Sequence, residues 1–172
     1  MKYSPVEIEK MLDSIQIIVD TREHVNDSLK KRMEGFGRPS VRKALSYGDY
    51  SAQYSLPDGE MQTLENSVVI ERKYGISEIC TNFTQGRERF KREFEKAISD
   101  GAKIHIIIEN ATWEDIYAGR YRSKLNPTSL VASILAWCSR YNITLHFCRS
   151  ESTGRLIADI LHYSLREELI NV

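Results

Sequence analysis

A buried strand that surfaces on an acid is the feature of this sequence that leaves the fewest structural options. Ile15 to Val19 is apolar and β-branched apart from Gln16 and stops at Asp20, while Val68-Val69-Ile70 is apolar at every position and stops at Glu71. Successive side chains of a strand point to opposite faces, so runs like these have to be covered on both sides. Amphipathic helices supply the cover. The spacing predicts a helix over Gln85 to Ser99, a strand over Lys103 to Glu109, a helix over Thr128 to Tyr141, a strand over Ile143 to Cys148 and a last helix around Thr153 to Leu169. Such alternation needs crossover connections and therefore a parallel portion of the sheet.

Upstream, Ser4 and Glu7 form a capping box around Pro5, which predicts a short helix to about Leu12. Asn26 or Asp27 caps a second helix through Leu29 and Met33, ended by Gly35 and Gly37. Between Val41 and Lys73 the pattern reads as an antiparallel meander: strands Val41 to Leu45 and Asp49 to Leu56, a Pro57-Asp58-Gly59 turn, and a strand around Val68 to Arg72. The expected class is α/β, a mixed central β-sheet flanked by helices.

With 172 residues, no repeat and no Pro/Gly-rich linker, the expected organisation is a single domain over 1–172, with a core at about 15–148 and a C-terminal helix at about 153–169. Twenty-four basic residues balance twenty-four acidic ones, which excludes a cationic coat that holds nucleic acid by bulk charge. A polyanionic partner has to be met by a local basic patch. The N-terminus has no signal-peptide apolar region and no transmembrane-length run follows, so no membrane association is expected. Three cysteines without CxxC spacing argue against a disulfide framework, and an intracellular location in cytoplasm, nucleoid or nucleus is the expectation. There is no P-loop, GxGxxG or Ser/His/Asp set, so neither a nucleotide cofactor nor acyl chemistry is expected. The four histidines lack ligand spacing; His105 and His146 fall within strands and read as packed or rim residues.

The chemistry concentrates where strands surface: Val19-Asp20-Thr21-Arg22-Glu23, Gly48-Asp49-Tyr50 and Ile70-Glu71-Arg72-Lys73. Residues i and i+2 of a strand share a face, so Glu71 and Lys73 project together, roughly 6–7 Å apart at Cα, and Arg72 points away. A hairpin brings Asp49 alongside. Two carboxylates and a backbone carbonyl, with Arg72 counted among the ligands, make a hard-oxygen site suited to Mg²⁺ or Mn²⁺. A lysine beside such an ion orients or deprotonates water and stabilises charge on an attacked phosphate, which suggests phosphodiester hydrolysis. A same-face ion pair on a solvated strand is the plainer reading of Glu71 and Lys73, and the apolar run before them weighs against it.

In this order, the three segments resemble the nuclease domain of the XPF/Mus-type structure-specific endonucleases, a branch of the PD-(D/E)XK nucleases, from about Ile15 to Cys148. The resemblance implies a restriction-endonuclease-like fold, a need for Mg²⁺ or Mn²⁺, and cutting of DNA near branches, flaps or junctions in repair, recombination or replication. By position in the family's motif it implies that Asp49 and Glu71 are metal ligands, that Lys73 is the catalytic lysine, and that Asp20 and Glu23 form an acidic pair beside the metal. Two departures stand out: Ser77, next to Glu78, occupies the place of the motif's final Asp, and the family's helix-hairpin-helix DNA-binding domain has no room here. A separate DNA-targeting subunit or a homodimer is therefore an expected partner besides DNA itself.

For the DNA phosphates, Gln85 to Arg92 is the densest basic stretch. Phe90, Phe94, Ala97 and Ile98 form its core-facing stripe, and Arg87, three residues before Phe90, continues that stripe inward and needs an anionic partner. Arg22, Arg72 and Lys124 are the other candidates for phosphate contact; Arg120 to Lys124, interleaved with Tyr117 and Tyr121, reads as a nucleic-acid rim. The expected function is a metal-dependent DNA endonuclease, the alternative a non-catalytic DNA-binding or interaction module that keeps the fold.

Overall fold

The protein is described here by a computed structural model covering residues 2–171. Helix α1 (Pro5–Asp13) starts as the capping box requires: the Ser4 N–H donates to Glu7 at 2.8 Å and the Glu7 N–H donates to Ser4 Oγ at 3.3 Å. Strand β1 (Gln16–Val19) follows, then α2 (Asp27–Glu34), capped by the Asn26 side chain, which accepts from the Leu29 N–H. Next come β2 (Ser40–Arg42), β3 (Tyr50–Ser55), β4 (Met61–Thr63) and β5 (Val68–Lys73). Helices α3 (Ile76–Phe83) and α4 (Arg87–Ser99), strand β6 (Lys103–Glu109), helices α5 (Trp113–Tyr117) and α6 (Pro127–Tyr141), strand β7 (Thr144–Cys148) and helix α7 (Ser150–Ile170) complete the order.

The seven strands form one mixed sheet in the order β2-β1-β3-β5-β6-β7, with β4 hydrogen-bonded to β3. β5, β6 and β7 are parallel, while β3 runs antiparallel to β1, β4 and β5. The expected meander is corrected in two places. The Val41 strand does not pair with β3; it lies at the sheet edge, parallel to β1, with Ile18 opposite Val41. The Pro57-Asp58-Gly59 turn leads into β4, a short edge strand whose Met-Gln-Thr sequence carries no apolar alternation to reveal it.

Each face of the sheet has its own apolar layer. Ile8, Met11 and Leu12 of α1, Leu29 of α2 and Ile157, Leu161 and Leu165 of α7 pack on Ile17, Val19, Ile70 and Ile107. On the other face, Phe83 of α3, Phe90 and Phe94 of α4 and Trp137 of α6 pack on Val69, Ile104, Ile106 and Ile108. Phe90 stacks on Trp137 with ring centroids 5.2 Å apart, which holds the N-terminal half of α4 against α6. α7 crosses α2 at Gly154, where a Cβ would overlap the Arg32 carbonyl oxygen, so only glycine permits the approach that sets Arg32 in place. No helix among the described residues is long and apolar enough to cross a membrane.

Candidate active site

Strand alternation sorts the end of β5 between the two faces. Val69, Glu71 and Lys73 point toward α3 and α4, whereas Val68, Ile70 and Arg72 point toward α2 and α7. Both Glu71 and Lys73 are buried, and the Lys73 ammonium donates to Glu71 Oε1 at 2.6 Å. The same Nζ lies 5.0 Å above the Phe90 ring and 3.6 Å from Glu78 Oε1. Glu78, in the first turn of α3, accepts from the Tyr74 N–H at 2.9 Å, so its carboxylate is held where the ammonium sits. Burial alone would lower the Lys73 pKa; the charges of Glu71, Glu78 and Asp49 outweigh it and hold the amine above its ordinary range. Lys73 is therefore an ammonium ion at neutral pH.

Asp49 enters from the neighbouring strand. Gly48, with φ +71, sends the chain into β3 in a conformation that favours glycine, and a Cβ there would crowd Val69 and the Ile70 carbonyl at 3.2 Å. The Asp49 N–H donates to the Ile70 carbonyl at 2.9 Å, and the Arg72 N–H donates to Asp49 Oδ2 at 2.8 Å. The carboxylate thus takes the place of the next ladder acceptor after the Tyr50–Ile70 pair, which pins it beside the Glu71 main chain. Burial pushes the Asp49 carboxyl well above the ordinary carboxylate range, and the negative charges of Glu71 and Glu23 push the same way against the Arg72 N–H and Lys73.

Asp20 is almost wholly buried, and its lone pairs are taken by protein donors: the Arg22 N–H and Nε at 2.7 Å each, and the Leu45 N–H at 2.7 Å. Burial would raise this carboxyl, but those bonds win and hold it below its usual value. Its N–H donates to the Asp49 carbonyl at 2.9 Å, so Asp20 ties the end of β1 to the candidate ligand and braces the 45–49 loop.

Glu23 stands on the opposite face. It accepts from the Tyr50 hydroxyl and pairs with Arg32 at 3.3 Å and Arg72 at 3.6 Å. Both arginines also reach Glu109, Arg72 at 3.2 Å and Arg32 at 3.6 Å, which closes a network of two guanidinium and two carboxylate groups, with Arg32 and Glu109 buried and Glu23 and Arg72 half-buried. The Arg72 side chain is occupied within this network, on the face away from Glu71 and Lys73. Its main chain is not: the Arg72 N–H leaves on the Asp49 side, and in an extended strand the carbonyl of the same residue leaves on that side too. Arg32 and Glu109 are sites that sequence reasoning did not pick out. Glu109 follows the same rule as Asp20 and Glu71, an acid closing the apolar run Ile106-Ile107-Ile108, and Arg32 follows Leu29 at helical spacing on the buried face of α2.

Of the expected phosphate-contacting residues, Arg22 keeps its side chain 58% exposed while bonded to Asp20. Arg87 does not point inward to an acid; it is exposed at the N-terminus of α4, its guanidinium 5.8 Å from the Trp137 ring centroid and free of ion pairs among the described residues. Although residue 87 is one turn before Phe90, its guanidinium meets the Trp137 ring and no carboxylate among the described residues. Lys124 is exposed on the 118–126 loop. Ser77, at the position of the motif's missing acid, accepts from the Arg122 N–H at 3.1 Å and so holds that basic loop against α3.

The residues present fit a hard divalent cation. Asp49 and Glu71 offer oxygen donors only, and the negative charges of Glu71 and Glu23, which add to burial in raising Asp49, are an imbalance a divalent ion relieves. Among the described residues no three His, Cys, Asp or Glu side chains converge into a ready-made cage. Mg²⁺ suits such a site, since it is commonly held by one or two carboxylates and completed by water and substrate phosphate.

The mixed sheet with a helical layer on each face defines the class: a restriction-endonuclease-like α/β domain. Solved structures bear this out at the level of fold. The chain is similar to XPF from Aeropyrum pernix, with a TM-score of 0.63 and 22% identity over 91% of this chain and 69% of that one. It is also similar to XPF from Aeropyrum pernix in complex with DNA, with a TM-score of 0.62 and 22% identity over 89% of this chain and 66% of that one. The chain thus spans about two thirds of their length. A sequence model of the ERCC4 domain matches residues 19–160, and the chain belongs to that family. Sequence comparison with curated proteins finds no match.

Proposed function

We propose that this domain is a Mg²⁺- or Mn²⁺-dependent endonuclease that hydrolyses phosphodiester bonds in branched DNA. The observation that carries the reading is the convergence of Asp49, Glu71 and Lys73 at the end of β5, in a member of the ERCC4 domain family. Asp49, Glu71 and the Arg72 carbonyl would hold the ion, which supplies Lewis-acid polarisation of the phosphate and a lowered pKa for bound water. Lys73, being protonated, acts as a donor: released from Glu71, it holds the attacking water or a non-bridging oxygen and offsets charge growing on the phosphate. Glu78 and Phe90 keep the ammonium from swinging away. Arg22, Arg87 and Lys124 are exposed around this end of the sheet and would carry the DNA backbone.

The test is a panel of single-stranded, duplex, flap, fork and four-way-junction DNA, with and without Mn²⁺, read for binding and for cleavage. Metal-dependent cuts near the branch support the proposal. Binding of every shape with no cutting would leave a DNA-binding module, and no affinity even at low salt would leave an interaction module.

A further inference from the structure

The network of Glu23, Arg32, Arg72 and Glu109 floors a cleft that hydrolysis itself does not use. Two adjoining hollows of about 340 and 510 Å³ share Ser28, Arg32, Tyr74 and Glu109 as walls, within the size range of small-ligand sites. Tyr74 directly follows Lys73, yet it is 70% exposed where Lys73 is 5% exposed. The exposed ring beside a polar hollow presents a face on which a planar group can stack. The floor is also incompletely satisfied: Arg32 Nε and Glu109 Oε1, on residues 7% and 3% exposed, have no hydrogen-bond partner and approach each other only to 3.6 Å.

We propose that this cleft receives an unpaired nucleotide of the DNA strand beside the scissile phosphate, its base stacked on Tyr74 and its edge facing the guanidinium and carboxylate groups of the floor. This rests on the reading of Asp49, Glu71 and Lys73 as the hydrolytic centre: Tyr74 is where the chain leaves the end of β5, so a strand held at Lys73 has to turn over that end of the sheet to reach the hollow on the other face. The chemistry selects a base over a bare phosphate or cation. Two arginines and two glutamates are neutral in sum, and a base edge carries donors and acceptors side by side to meet them, whereas a phosphate would face Glu23 and Glu109. A paired base cannot reach the cleft, so preference for branched DNA would arise in this domain.

The experiment places 2-aminopurine at successive unpaired positions of a splayed-arm DNA and reads its fluorescence on binding without divalent metal. Wild-type protein should quench one position beside the cut. Tyr74→Ala should abolish that quenching and weaken splayed-arm binding roughly 5- to 100-fold, as expected for loss of one base–aromatic stack, and Tyr74→Phe should restore both. Ser28→Trp, on the exposed wall of the cleft, should block quenching while leaving duplex affinity unchanged. Quenching and its loss in Tyr74→Ala, even in a protein that never cuts, support the cleft while the hydrolytic reading falls. Unquenched probes with wild-type affinity in Tyr74→Ala, in a protein that cuts DNA, overturn the cleft alone. Absence of any DNA binding overturns both.

Discussion

Replacing Lys73 by methionine should weaken the metal-free protein and sharpen its response to Mg²⁺. The ammonium and its partner Glu71 are 6% and 11% exposed at the side chain, so the substitution strands a nearly dry carboxylate beside Asp49. Removing one member of a fully buried pair costs about 3–5 kcal/mol; the slight opening at Glu71 and the retained packing of Met on Phe90 put the value at the lower end, about 3 kcal/mol. For a chain of this size that corresponds to a fall in melting temperature of roughly 6–12 °C. A bound ion at a hundred times its Kd returns about 2.7 kcal/mol, and the variant should bind it more tightly because no ammonium competes for Glu71. Thermal unfolding followed by circular dichroism in chelator and across a Mg²⁺ series reads both effects. Melting of Lys73→Met within about 2 °C of wild type in chelator, or Mg²⁺ stabilising an Asp49→Asn/Glu71→Gln double variant as much as the wild type, would refute the ion pair's role or the assigned metal ligands.

Asp49→Asn should act with the opposite sign. A carboxyl whose folded pKa lies above its unfolded value stabilises at low pH and loses that contribution as pH rises, so the neutral amide should raise metal-free stability at neutral pH by about 0.5–2 kcal/mol and flatten its decline with pH, measured by urea unfolding. His105, stacked on His146 with Nδ1 2.9 Å from its Nε2, is pushed down to about 4 by burial, His146 and Lys103. The unfolded chain then binds the proton first, so stability drops as pH falls from about 6.5 towards 4; His105→Phe should remove up to about 3 kcal/mol of that drop in urea titrations at the two ends of the window. Gly154→Ala should cost about 1–3 kcal/mol by forcing α7 off the Arg32 carbonyl, and calorimetric melting that matches wild type would show that the helices do not meet there.

Much of this architecture is legible in the sequence wherever one pattern runs long enough. α4, β6 and α7 are read within a few residues because their apolar periods are unbroken, and the acids that close buried strands mark the site. Partner choice is not written in a strand's pattern: Val41 is compatible with either neighbour, and the crossover through α2 decides for β1. α3 and α5 are a few turns or fewer, too short for a period to stand out. Alternation places Glu71 and Lys73 on one face, but it cannot see that Glu23, far from Arg72 in sequence, spends its charge on the other face. Arg32 sits in a basic run that reads as solvated surface, and only the α2–α7 contact at Gly154 turns it into the floor of a cleft.

Single-turnover cleavage of a branched DNA with saturating Mn²⁺, comparing wild type with Asp49→Asn and Lys73→Ala, tests the central claim most directly. Wild type should cut; each variant should lose at least about a hundredfold in rate, the scale of one charged group at a transition state, while its circular dichroism spectrum stays that of the folded protein. Cutting by both folded variants at the wild-type rate would place the chemistry elsewhere and contradict the account.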